Sequence, residues 1–449
     1  MNSQSKKIIT RLPPSPTGNL HVGTARTALF NYIFAKQNSG EMLFRFEDTD
    51  RERSKKEFED NILEGLEWLG IDFDKSKMFK QSERSDLYKE YLEKMIAEDK
   101  AYVSKETEVK EGGRSEVIRF KNPNKKVVFE DSVRGKIEID TTDLGDFIIA
   151  KSLEEPLYHL TVVVDDFEIG VTHVIRGDDG LSNTPRQILI QEAVGAPTPK
   201  YTHLPLVLAS DRSKLSKRHG AVSVDEYRKM GYLPEAIVNY LMLLGWNPGT
   251  DQEIFTTKEL IEQFDLNKIQ KGGAIFSLEK LGWVNKEHIK KMSDEDFKQK
   301  VLEFLPEEIT NLNGYSDDKF NKILPVIKER IEKFEDVKIM EEEGELVYYF
   351  ENPEYEKEKL VWKEDGPDVA IKHLNKIIEM LDEIDNLTAE NVKEKLWDYA
   401  SEEGRGSVLW PMRYSLSGKD RSPDPFTLAG ILGKEETINR LKLALEKLN

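Results

Sequence analysis

At 449 residues the chain is too long for one ordinary core, so several domains are expected. A net charge of −18 argues as a global figure against a phosphate-rich partner, but a large partner meets one face, and an acidic back surface can accompany a local basic stripe. There is no cysteine, which excludes disulfides, thiolate metal sites and cysteine nucleophiles; with no bilayer-length apolar run and no signal-peptide pattern, a soluble, cytoplasmic protein without a membrane partner is expected.

The chain opens on a strand-like Ile8-Ile9-Thr10-Arg11-Leu12, followed by the turn-rich Pro14-Ser15-Pro16-Thr17-Gly18-Asn19-Leu20-His21-Val22-Gly23 and a helix-like run over 24–38. Helix openings present unpaired N–H groups that attract anions, so this turn delivers His21 to a place suited to phosphate. A strand over 42–46 and a helix over 54–69, with Phe58, Ile62, Leu66 and Leu69 on one face, continue the alternation. Such alternation predicts a parallel sheet with crossover helices, whose ligands sit beyond the carboxyl ends of the strands. Arg11, His21, Glu47 and Arg176 all fall at or just after such ends.

Residues 81–155 turn β-rich and charged, with strand runs at 117–120, 127–129 and 147–149, and read as an insertion into the sheet. The sheet pattern resumes with 160–164 and 171–176, both read as strands, and Asp165-Asp166 reads as the turn closing the first. After a helix through Ile188 to Ala193 comes Lys214-Leu215-Ser216-Lys217-Arg218-His219-Gly220, which sets two ammonium groups and a guanidinium within five residues. That density suits a triphosphate whose charge shifts during reaction. A mostly helical stretch runs to about 290. From Ser293, a helix cap, the pattern is helical, with apolar stripes at Leu374, Ile377, Ile378, Leu381 and at Ile438, Leu441, Leu445, Leu448. Gly404-Arg405-Gly406, Gly418 and Pro423-Asp424-Pro425 read as loops, which places Arg405, Trp410, Arg413 and Tyr414 in a loop-rich stretch.

Alone, each motif has a plain reading. A histidine after a turn is more often a packed or capping residue, and a short basic run is more often a solvated loop. The two in this order favour phosphate handling, while Asp211, Arg212 and His219 read as local structure. Asp48 and Asp50 read as capping groups paired with Arg51 and Arg53.

These motifs, with Phe44 to Asp50, Tyr158-His159, Val163 to Asp166, Val174 to Asp179, Asn183 to Gln187 and Gly231 to Ala236, resemble the class I aminoacyl-tRNA synthetases, and among them the bacterial glutamyl-tRNA synthetases. The likeness covers most of 7–290 and is looser to the end. It implies an α/β Rossmann-type catalytic domain (1–80 and 156–210), an α+β insertion that meets the tRNA acceptor end (81–155), a mostly helical stem-contact domain with the basic loop (211–290) and an all-α anticodon-binding unit (291–449, divisible near 365). The implied reaction forms glutamyl-adenylate from glutamate and ATP, with Mg2+ arriving on ATP, then loads the terminal ribose of tRNA(Glu), with tRNA(Gln) an open second acceptor. A monomer without protein-held metal or zinc is implied.

By the same resemblance His21, Thr24, Lys214 and Lys217 carry the phosphate chemistry, Gly18, Gly23 and Asp179 complete the ATP site, and Arg11, Ser15, Glu47, Tyr158 and Arg176 hold glutamate. Arg405, Trp410 and Arg413 would meet tRNA bases by stacking and edge contacts, with Trp410 reading equally as a core residue. The chemistry fits: attack on the ATP α-phosphate gathers negative charge that fixed cations stabilise, and a planar guanidinium pairs bidentately with a carboxylate. Arg11, with Tyr158, would take the glutamate side-chain carboxylate, so glutamine would leave the charge of Arg11 uncompensated, while Arg176 would meet the other carboxylate or a neighbouring phosphate. Thr24 stands where many relatives have histidine, Val162 where some have asparagine, and Gly180 where a larger residue is usual, so a thinner wall beside Asp179 is expected. The stretch from Ala101 to Val117 is short and lacks the zinc-holding cysteines of some relatives. A glutaminyl enzyme is disfavoured by the helical C-terminus, and the short paralogue that modifies a tRNA base lacks that unit; a tRNA-binding protein without catalysis is the alternative from another class.

Overall fold

The computed structural model describes residues 7–106 and 116–449. Two units, Met1–His288 and Ile289–Asn449, account for it. In the first, parallel strands Ile9–Leu12, Glu41–Phe46 and Phe79–Lys80 pair in that order, and His173–Gly177 pairs in parallel with Lys200–Leu204. The two sets meet where Thr172 N–H donates to the Ile9 carbonyl (2.9 Å) and Ile9 N–H donates to Thr172 Oγ1 (2.9 Å). The resulting order, third, second, first, fourth, fifth, is the doubly wound one, with a switch between Ile9–Leu12 and His173–Gly177 where ligands of such sheets collect. Helices Val22–Gln37, Lys56–Trp68 and Thr184–Val194 are crossovers.

The segment 81–155 contributes to two sheets. Ala101–Lys105, Glu116–Phe120, Phe147–Ser152 and Glu155–Pro156 form an antiparallel sheet of their own. The hairpin of Lys126–Asp131 and Gly135–Asp140 instead extends the parallel sheet, Asp131 pairing with Tyr201. Its first strand alternates, with Val127, Phe129 and Asp131 buried and the residues between them exposed, as one covered face requires.

Residues 160–164 correct the strand expected there: Tyr158–Glu168 is a helix. A short apolar run lacks the polar interruptions that reveal a period, and here every residue from Leu160 to Asp166 is buried. Asp165 and Asp166 are therefore helical and inside the protein, not in a turn.

The second unit is helical. Ser293 Oγ accepts from Asp296 N–H at the head of Asp294–Phe304, and Pro367–Asp382 buries Ala370, Leu374, Ile377 and Leu381. Residues 405–417 also depart from expectation, forming one helix, Arg405–Ser417, despite Gly406 and Pro411. Gly404, at φ 104°, ends the preceding helix and starts this one. Gly406 is there for packing: a Cβ would lie 2.3 Å from Trp362 Nε1. Along Lys434–Leu448 the buried face is Thr437, Arg440, Leu441, Ala444 and Leu448, because Arg440 turns inward to donate to the carbonyls of Tyr348, Leu416 and Glu351.

Candidate active site

A cleft of about 320 Å³ opens at the carboxyl ends of the central strands. Ser15 lines it after the first strand, His21, Gly23 and Thr24 at the start of the following helix, Asp179 after the fourth strand, and Lys214 on the basic loop. The two motifs are physically joined. His21 bridges Ser223, Val22 N–H donates to the Val222 carbonyl (2.9 Å), and Val224 N–H donates to the Leu20 carbonyl (2.9 Å).

His21 Nδ1 accepts from Gly23 N–H (3.0 Å), so a neutral ring carries its proton on Nε2. A Cβ on Gly23 would stand 3.2 Å from that Nδ1, whereas one on Gly18, which is not among the cleft's lining residues, would meet no protein atom within 4 Å. Lys214 Nζ reaches Asp179 Oδ2 at 3.0 Å, both side chains being more than half exposed (65% and 62%). Lys217 opens a short 3-10 turn, Lys217–His219, and its side chain lies outside the described residues.

Arg26, on the cleft wall, escaped the sequence reading. It is buried within an apolar helix, donates to the Leu244 (2.6 Å) and Pro205 (2.7 Å) carbonyls, and its Nη2 has no partner. Burial without a carboxylate pulls its pKa down to about 10. The available signal was a guanidinium amid Ala25, Ala28 and Leu29, a pattern that also fits a surface arginine.

Beside the cleft lies a buried ion cluster. Arg11 Nε meets Asp166 Oδ2 (3.2 Å); Arg45 meets Asp166 Oδ1 (2.6 Å), Glu47 Oε1 (3.0 Å) and Asp165 Oδ2 (3.5 Å). Arg84 closes it at 3.2 Å from Asp165 Oδ1. Burial raises the carboxyls of Glu47 and Asp165, while at Asp166 burial is outweighed by Arg11 and Arg45, which hold it below the usual range. Three guanidiniums thus balance three carboxylates. Asp48 accepts from Ser82 N–H (2.8 Å) and Oγ (2.6 Å), correcting the pairing expected with Arg51 or Arg53, whereas Asp50 does hold Arg53 (2.7 Å).

Arg176 has no such balance. Its donors go to His203 Nε2 (3.1 Å), Gln187 Oε1 (2.8 Å), the Gly180 carbonyl (3.0 Å) and Thr184 Oγ1 (2.8 Å), all neutral acceptors. No carboxylate pairs with it among the described residues, and burial lowers its pKa. Gly180 accounts for the fit. A Cβ there would fall 2.5 Å from Arg176 Nε, so the small residue seats the arginine rather than thinning a wall beside Asp179. Gln187, part of the family pattern but given no role from sequence, is buried with Nε2 unpaired, leaving an amide donor beside the arginine. Arg11 Nη1 lies 3.5 Å from the Ile175 carbonyl, which brings the first and fourth strand ends together, and the half-exposed Tyr158 (39%) is near enough to act on the charge of Arg176. Among the described residues no group of His, Asp or Glu is placed to hold a metal ion.

In the helical unit Arg405 lies over Trp397 (4.3 Å), Arg413 over Trp410 (4.7 Å), and Trp410 Nε1 donates to the Lys359 carbonyl (2.8 Å). Trp410 is thus anchored at its polar edge.

Comparison with known proteins agrees with this layout. The family model described as class I tRNA synthetases (E and Q), catalytic domain, matches residues 7–110 and 104–283, and that described as an anticodon binding domain matches 296–445. Glutamate–tRNA ligase 1 of Caldanaerobacter subterraneus is 38% identical over 480 residues, covering 98% of both chains. Glutamate–tRNA ligase of Aquifex aeolicus is 40% identical over 490 residues, covering 99% of this chain and 100% of the other. The crystal structure of a glutamate tRNA ligase from Elizabethkingia meningosepticum, in complex with its amino acid, superposes with a TM-score of 0.84 at 32% identity over 99% of this chain.

Proposed function

The chain belongs to the class I tRNA synthetases for glutamate and glutamine, and from that premise we propose how its charges divide the work. It is a glutamate–tRNA ligase: ATP and glutamate give glutamyl-adenylate, and the terminal ribose of tRNA takes the glutamyl group. The observation that carries our assignment is Arg176, a buried guanidinium ringed by neutral acceptors beside a cluster in which three guanidiniums face three carboxylates. A bound substrate carboxylate supplies the missing anion, with Arg11, Tyr158 and the free Gln187 amide as further donors. Glutamine has no charge to offer there, and its amide would set N–H against N–H.

Glu47, with Oε1 held by Arg45, turns its negative charge to the substrate ammonium, and Ser15 faces the amino acid from the cleft. Across the cleft, ATP phosphates lie against His21 Nε2, Thr24 Oγ1 and the lysines at 214 and 217, with Gly18, Gly23 and Asp179 framing the nucleoside. Triphosphate binding then has Lys214 exchange its Asp179 partner for phosphate oxygens. Mg2+ enters with ATP, and no zinc is held. The segment 81–155 meets the acceptor end, 211–290 the stem, and Arg405, Trp410 and Arg413 of the 291–449 unit the anticodon, in a cytoplasmic monomer.

Aminoacylation of purified tRNA(Glu) and tRNA(Gln) with radiolabelled glutamate and glutamine tests the assignment. Glutamate is expected on tRNA(Glu), and the same assay decides whether tRNA(Gln) is a second acceptor; glutamine transfer to either tRNA would overturn the role given to Arg176.

A further inference from the structure

Arg176 is aimed by a short chain of buried groups that begins in the segment 81–155. His203, fully buried, receives the Arg176 Nε proton on its Nε2 (3.1 Å), and its Nδ1 lies 2.7 Å from Asp131 Oδ2. Arginine only donates, so Nε2 must present a lone pair, which puts the ring proton on Nδ1 and directs it at Asp131. A protonated ring would oppose two N–H groups across the Arg176 contact. Burial accordingly keeps the His203 pKa below its ordinary value, although the Asp131 hydrogen bond pulls the other way.

The far end is held equally firmly. Asp131 accepts from the backbone N–H groups of Val133 (2.9 Å), Arg134 (2.8 Å) and His203 (3.0 Å). The Tyr201 ring stacks on the imidazole at 6.0 Å and 13°. From the same hairpin, Arg134 grips Asp178 through Nε (3.1 Å) and Nη2 (2.9 Å), one residue before Asp179. The hairpin thus braces the fourth strand's end on both sides of Gly177.

We propose that His203 is a positioning residue for glutamate selection, holding Arg176 toward the substrate carboxylate while Asp131 fixes its tautomer. The inference rests on the reading of Arg176 given above. The chemistry explains why a histidine stands here: it passes orientation from Asp131 to the guanidinium without placing a carboxylate on it, and a direct carboxylate partner would quench the charge the substrate must answer. With Gln187, Gly180 and Thr184 taking three further donors, a single Nη1 hydrogen is left to the ligand, and its direction is set by the Nε contact.

The test uses the full-length protein in tRNA aminoacylation, with KM measured separately for glutamate and ATP. In His203→Asn the amide stands in for Nδ1, keeping Asp131 but losing the acceptor for Arg176; in His203→Gln the amide oxygen stands in for Nε2 and keeps it. His203→Asn is expected to raise the glutamate KM about tenfold with the ATP KM within about twofold, and His203→Gln to restore the glutamate KM to within about threefold. An unchanged glutamate KM in His203→Asn, an equal rise for both substrates, or equal effects of the two variants would overturn the proposal. Arg176→Gln separates the two layers: if it too leaves the glutamate KM unmoved, the reading of Arg176 fails, whereas a rise there alone sinks only the positioning role. Should His203→Asn not fold, Asp131→Asn carries the test, with about a threefold rise in glutamate KM expected and an unchanged value counting against it.

Discussion

Around Arg11 and Arg45 the charges are buried and meet Asp166 from 155 and 121 residues away in sequence, whereas in the cleft Lys214 and Asp179 meet in solvent. The buried side has its geometry fixed by packing and by opposed charges that cannot leave one another cheaply. The exposed pair is screened, contributes little to folding, and can change partners when a more highly charged ligand arrives. A rigid wall suits discrimination between carboxylate and amide, because nothing relaxes to forgive the wrong group. A loose wall suits a triphosphate whose charge distribution alters as pyrophosphate departs.

The contrast is most severely tested at its buried centre. Asp166→Asn strips Arg11 and Arg45 of their shared anion and is expected to cost about 3–5 kcal/mol of stability, visible as a large drop in the urea midpoint. A loss under about 1 kcal/mol would mean that the cluster is wetter than its burial implies. On the exposed side, Lys214→Ala should slow adenylate formation about 100-fold, near 2.7 kcal/mol in the barrier, while stability stays within about 0.5 kcal/mol. A destabilised Lys214→Ala protein would erase the distinction between the walls.

The smallest effect comes from acid. His159, beside Tyr158, has a buried, unpaired Nδ1, and burial with Arg186 and Arg176 nearby brings its pKa down to about 4. The folded protein refuses a proton that the unfolded chain accepts near pH 6.5, so stability falls as pH drops from about 6.5 to 4 and is unaffected by this group above that window. With a discount for partial exposure, about 1–2 kcal/mol should be lost by pH 4.5. His159→Gln should flatten part of that slope in urea midpoints taken at pH 7.5, 5.5 and 4.5, and identical slopes in the two proteins would remove His159 as the cause.

Much of this protein was legible before any coordinates. Turn chemistry and the switch between strand and helix periods placed Ile9–Leu12, Val22–Gln37, Glu41–Phe46 and Lys56–Trp68 to within a few residues, since these signals are local. The position of His21 at a helix start, and the density of Lys214, Lys217 and Arg218, likewise belong to short stretches of chain. The errors fall where burial erases local pattern. Within Tyr158–Glu168 every residue from Leu160 to Asp166 is buried, so its run of valines carries no period, and Arg405–Ser417 holds Gly406 because Trp362 packs against it.

Sequence by itself therefore determined which residues could do the chemistry and roughly where along the alternating strands and helices they stand, because propensity and periodicity act over a few residues. Only the tertiary structure decided which cations are matched and which, as with Arg26 and Arg176, are left without an anion among the described residues. That Arg45 has carboxylates to match its charge, that Arg176 has none, that Gly180 seats it and that Asp131 steadies it through His203 all depend on groups brought together by packing. Charge balance at buried sites is a sum over neighbours in space, and no local stretch of sequence contains its terms.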